Sequence, residues 1–94
     1  MAKSILQDKK VCYICGTSQN LQLHHIFYGT ANRRLSDEDG CVVWLCNKHH
    51  TGDEGIHGDT KENLKLKQKC ERAWLEKYNK TIEDFIARYG RNYL

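Results

Sequence analysis

Cys12-x-x-Cys15, His24-His25, Cys46-x-x-His49-His50 and His57 are the residues of this chain whose types and spacing could do chemistry. Thiolate and imidazole are good zinc donors, and two of them separated by two residues reach one ion from a single turn. Cys12 with Cys15 makes one such half-clamp, and Cys46 with His49 makes the other. Together they predict a closed Cys₃His structural zinc site whose binding energy, about 10–16 kcal/mol apparent in small zinc modules, becomes folding energy. That site uses one of the five histidines and leaves His24, His25, His50 and His57. Two imidazoles can hold a divalent ion with coordination positions open to water and substrate, which distinguishes a catalytic site from a structural one. A third imidazole can serve as a general base, because its ordinary pKa of about 6.5 lies near working pH.

These side chains need elements to position them. Residues 1–10 read as a lead-in with at most one short helical turn, and Val11–Thr17 as a turn holding two thiols, with Gly16 suited to positive φ. Leu21–Tyr28 is rich in bulky apolar residues and predicts a strand. Leu21 and Leu23 share one face of it, and His24 and Ile26 share the other. Adjacent histidines on a strand face opposite ways unless the strand bends there. A loop from Gly29 to Gly40 has room for a short helix near 31–36. Cys41–Leu45 predicts a second strand that turns at Cys46 into a short helix through His49 and His50, limited by Gly52, Gly55 and Gly58. The zinc draws this strand and helix back against the first strand and so brings His50 beside His24 and His25. Asp59 and Glu62 resemble a capping box for a helix to about Tyr78, with Leu66, Cys70, Ala73, Trp74 and Lys77 on one stripe. Thr81–Asp84 starts a further helix that packs Phe85, Ile86 and Tyr89 inward and ends at Gly90.

Composition bounds the reading. The chain has 94 residues with a formal charge of +3, a length that suits one domain with a marginal core. Its charged fraction is 29% and its mean hydropathy is −0.75, and no apolar run approaches the ~20 residues of a membrane span. The start lacks the apolar stretch of a signal peptide, so a cytoplasmic location is expected. Five cysteines in a reducing compartment read as metal ligands, not as a disulfide framework, and Cys41 and Cys70 read as buried thiols. The mild positive charge suits a polyanionic partner.

Cys12-Tyr-Ile-Cys15, Leu23-His24-His25-Ile26 and Leu45-Cys46-Asn-Lys-His49-His50 together resemble the HNH endonucleases of the ββα-metal superfamily, particularly small phage-type members. The resemblance covers residues 12–58 and implies an α+β fold: a small zinc-stabilised ββα-metal core over 12–58, with C-terminal helices over 59–94, in one domain. It implies His25 as general base and His24 and His50 as ligands of a catalytic divalent ion. The last zinc ligand is His49 where cysteine is commoner. The usual asparagine is displaced here: Asn32 is the best substitute and Asn47 the next. His57 is either a further ligand of that ion, a binder of the scissile phosphate, or a surface histidine capping the next helix.

The implied reaction is hydrolysis of a DNA phosphodiester, leaving 3′-hydroxyl and 5′-phosphate ends, with His25 taking a proton from water and the cation acting as Lewis acid. A histidine-rich site admits Mn²⁺, Ni²⁺, Co²⁺ or Zn²⁺ beside Mg²⁺. Arg33, Arg34 and Lys48 are candidates for phosphate contacts, which position the backbone without reading bases, so low sequence specificity is expected. DNA is the expected partner and a membrane is not. A homodimer, or a phage DNA-processing partner in a host cytoplasm, fits the same residues. Two competing readings keep the zinc clamp: a nucleic-acid-binding module without catalysis, and a small subunit of a phage DNA-processing complex.

Overall fold

In the computed structural model, residues 4–29, 31–50 and 61–94 are described. Strands β1 (Leu21–His25) and β2 (Val42–Cys46) form a two-stranded antiparallel sheet in which Leu21 faces Cys46 and His25 faces Val42. The connection between them carries helix α1 (Asn32–Asp39). Helix α2 (Asn47–His50) follows β2 directly, and helices α3 (Lys61–Tyr78) and α4 (Ile82–Tyr89) complete an α+β arrangement. Among the described residues no helix is long and apolar enough to cross a membrane. His57, Gly52, Gly55, Gly58 and Asp59 lie outside the described residues.

The first strand stops three residues earlier than its apolar run predicts. Ile26 N–H still donates to Cys41 O, but both backbone groups of Phe27 turn to one side chain: Phe27 N–H donates to Ser36 Oγ at 3.1 Å, and Ser36 Oγ–H donates to Phe27 O at 2.6 Å. A buried serine of α1 thus replaces a neighbouring strand, which meets the rule that buried backbone polar groups find partners. Phe27, freed from the sheet, becomes the centre of an aromatic core, with ring centroids 5.1 Å from Phe85, 4.7 Å from Tyr89 and 5.4 Å from Tyr93.

The helices differ from expectation in detail. Helix α1 runs on to Asp39 and is closed by Gly40, whose φ of 78° is cheap only for glycine. Helix α3 buries Leu66, Cys70 and Trp74, but Lys77 is exposed, because its charged head stays in water at the end of the stripe. Helix α4 has a complete capping box between Thr81 and Asp84, ends at Gly90, and buries Phe85 and Tyr89. Ile86 is 41% exposed, since α4 is only eight residues long and turns one narrow stripe toward the core. The lead-in from Ser4 is not helical. Ile5 N–H donates to Gly40 O, and Gln7 Oε1 accepts from Trp44 N–H, so this segment lies along the outer side of β2. Cys41 and Cys70 are fully buried, as expected, and the neighbouring Cys41 thiol, with burial, pushes the Cys70 thiol far above the ordinary range.

Asp39 ties α1 to the C-terminal helices. Its carboxylate accepts from Arg88 through Nε and, at 2.8 Å, the second guanidinium nitrogen, from Trp74 Nε1 at 2.9 Å and from the Tyr89 hydroxyl at 2.7 Å. The Asp39 side chain is 13% exposed, and removing it takes the acceptor from Trp74 Nε1 and leaves Arg88 only its weaker pairing with Glu38. Asp39→Ala should therefore lower the unfolding free energy by roughly 3 kcal/mol, read from urea denaturation of the zinc-loaded protein. A loss within error of zero would show the network to be ornamental.

Candidate functional site

The turn Cys12–Thr17 is shaped by its own backbone. Cys12 N–H donates to Thr17 O, Gly16 N–H donates to Cys12 O, and Gly16 has φ 78°. Tyr13 N–H donates to Trp44 O, which pins this turn against β2. At the end of β2, Asn47 N–H donates to Asn20 O and starts α2. The two turns bring Cys12, Cys15, Cys46 and His49 together, with all four ligand atoms within 4.8 Å of one another.

These distances fit a tetrahedral zinc site. Zinc–sulfur bonds of about 2.3 Å imply sulfur–sulfur edges of roughly 3.8 Å. Cys15 Sγ lies 3.8 Å from Cys46 Sγ, and His49 Nδ1 lies 3.8 Å from Cys12 Sγ and 3.1 Å from Cys46 Sγ. The electrostatics agree. Burial raises the Cys12 thiol, but backbone N–H groups of Cys15, Cys46 and Ile14 outweigh it and hold the thiol down at about 6. Burial likewise raises Cys46, and the backbone and ring of His49 outweigh it, leaving that thiol low. Thr17 N–H lowers Cys15, but burial and the two neighbouring sulfurs prevail and leave it high. Three sulfurs that compete for negative charge are a receptor for a cation. Among the described residues this is the one group of three or more His, Cys, Asp or Glu side chains so arranged. It can hold a metal ion and is compatible with structural zinc.

His50, the next residue, points elsewhere. Its ring lies beside that of His24, with centroids 5.3 Å apart and planes at 73°. His24 is 1% exposed. Beside this pair opens a cavity of about 590 Å³ lined by His24, His25, His50, Tyr28, Arg33 and two neighbouring residues. The adjacent histidines of β1 both reach it because the strand ends at His25. His25 Nε2 lies 3.5 Å from Asp37 Oδ1, and His25, Arg33, Arg34 and Asp37 line an adjoining cleft.

The other predicted residues fall as follows. Arg33 lines both cavities. Arg34 is mostly exposed and lies 3.5 Å from Glu38 one helical turn on. Lys48 is exposed on α2. Asn32 does not line the histidine cavity; its Nδ2 donates to Tyr89 O at 3.0 Å and ties the start of α1 to the end of α4. Asn32 is thus a substitute by residue type alone, and its amide nitrogen is engaged by the scaffold. Asn47, the alternative, is exposed at the start of α2.

Sequence reasoning did not single out Asp37 or Gln22. Asp37 stands four residues after Arg33, on the same helix face. Gln22 stands two residues before His24, on the same strand face. Either could have been found from those spacings once the helix and strand were accepted.

Comparison with family models, with curated proteins and with solved structures finds no match for this chain.

The purified protein should carry one tightly held zinc per chain, measured by elemental analysis after dialysis against a weak chelator. Cys46→Ser should lose that zinc together with the near-ultraviolet circular dichroism of the aromatic core. Cys41→Ala and Cys70→Ala should keep it. Zinc retained by Cys46→Ser would rule out the four-ligand assignment.

Proposed function

We propose that this chain is a metal-dependent DNA endonuclease or nickase of the HNH kind, hydrolysing phosphodiester bonds with His25 as general base. The observation that carries this reading is the convergence of His24, His25 and His50 on one cavity directly beside a closed Cys/His cluster. A purely structural zinc module has no use for three further imidazoles at one opening.

Each side chain has a task in this scheme. His24 and His50 would hold a divalent cation; imidazole donors suit Ni²⁺ and Zn²⁺, while Mn²⁺ and Mg²⁺ would complete their shells with water and phosphate oxygens. When bound, the cation supplies Lewis-acid stabilisation of charge growing on the phosphate oxygens. His25 has Nε2 toward the Asp37 carboxylate, which favours the proton on that nitrogen and leaves Nδ1 to accept one from water. Arg33, at the rim of both cavities, seats the phosphate, and Arg34 and Lys48 extend the contact along the backbone. Contacts of this kind give affinity and register without base readout, which fits cleavage of low sequence specificity.

One observation favours a second reading. Among the described residues only the Cys/His cluster gathers three or more metal-ligating side chains, as expected of a zinc-stabilised nucleic-acid-binding module without catalysis. A single assay separates the two. Zinc-loaded protein should nick supercoiled plasmid with Mn²⁺ or Ni²⁺ at least as well as with Mg²⁺. His25→Ala should lower the rate by about 10²–10⁴-fold, the usual worth of a general base, while zinc content and circular dichroism stay unchanged. Equal DNA binding by both proteins with nicking by neither would favour the module.

A further inference from the structure

His49 and His50 are consecutive, yet they present different nitrogens. His49 turns Nδ1 to the sulfur atoms of Cys12 and Cys46. His50 turns Nδ1 to Gln22 Oε1, at 2.5 Å. A neutral imidazole has one N–H and one lone pair, and its partner decides which nitrogen carries which. The carbonyl oxygen of an amide can only accept. With the proton on Nε2, His50 would set a lone pair against that oxygen at hydrogen-bond distance. With the Gln22 amide oxygen turned to the ring in this way, the proton belongs on Nδ1, and Nε2 carries the lone pair that a cation needs.

Gln22 is placed for this by the strand itself. It is exposed, it lies opposite Leu45, and it shares a strand face with His24 two residues on. Helix α2 begins one residue after β2 ends and lies beside β1, so the ring of His50 meets the Gln22 side chain and the His24 ring together. The pairing spans 28 residues of sequence, so it reports the fold and is not a local accident.

Building on the reading of His24 and His50 as cation ligands, we infer that Gln22 is a positioning residue: its amide oxygen locks His50 in the Nδ1–H tautomer and so readies Nε2 to bind a divalent cation. Outer partners of ligating histidines act in this way and are typically worth 10–100-fold in metal affinity.

The tautomer can be read without any second metal. In long-range ¹H–¹⁵N spectra of zinc-loaded protein, at a pH where imidazoles are neutral, His50 should show a protonated Nδ1 and a pyridine-like Nε2. His50→Ala assigns the signals. Gln22→Glu, whose oxygens also only accept, should keep that pattern. Gln22→Leu, similar in bulk, should shift the proton toward Nε2. Calorimetric titration with Ni²⁺ should show affinity about 10–100-fold weaker in Gln22→Leu and at least wild-type in Gln22→Glu, with His50→Ala as the floor. A wild-type His50 protonated on Nε2 overturns the proposal. So does a Gln22→Leu protein with wild-type tautomer and Ni²⁺ affinity, and so does a wild type that binds Ni²⁺ no better than His50→Ala. A wild type that passes these tests and nicks no DNA upholds the role of Gln22 and sinks the nuclease reading alone.

Discussion

Closure of four ligand atoms from two distant turns is the constraint on which the rest of this molecule depends. The turn at Cys12–Thr17 reaches β2 through Tyr13, which packs against the core and donates its N–H to Trp44 O. Three sulfurs and one ring nitrogen within 4.8 Å then join this turn to the junction of β2 with α2. Without a cation the three thiols oppose one another, since ionising one makes the next harder to ionise, and the high Cys15 beside the low Cys12 and Cys46 is that conflict made visible. A divalent cation turns the conflict into attraction. In a domain this small, where the core buries limited area, that gain outranks any single packing contact.

The histidine cavity is assembled from three elements, each fixed by different means. The antiparallel ladder holds β1, and with it Gln22, His24 and His25. The Cys/His cluster holds α2, and with it His50. Ser36 and Asp39 hold α1: the serine binds both backbone groups of Phe27, and the aspartate gathers Arg88, Trp74 and Tyr89. Arg33 and Asp37 ride on that helix, so the rim of the cavity is anchored through the aromatic core around Phe27. The C-terminal helices thus reach the site without contributing a side chain to its lining.

Several features were legible in the sequence because they rest on local rules. The C-x2-C and C-x2-H spacings announced the cluster. The Thr81 and Asp84 pair and Gly90 marked both ends of α4. The stripe of Leu66, Cys70 and Trp74 marked the buried face of α3. What escaped depends on contacts between distant residues. Apolar residues through Tyr28 read as strand, yet the strand stops at His25 because a serine nine positions on satisfies Phe27. No local pattern announces that. Asn32 was a candidate by residue type, but the backbone of Tyr89, 57 residues later, decides where its amide points. Ile86 looked like core by type, and only the short, one-sided packing of α4 leaves it in water. Gln22 is an unremarkable polar residue until the partner across the fold is known.

The single turn that carries both His49 and His50 has a further consequence. A helix advances about 100° per residue, so the two rings leave the backbone in different directions, one toward sulfur and one toward an amide. Inserting one residue between Cys46 and His49 would carry His49 into the place of His50 and turn His50 about 100° further, while deleting one would carry His50 into the place of His49, so either change undoes both assignments. The length of this turn is therefore frozen: substitutions can tune it in place, but no indel can pass through it.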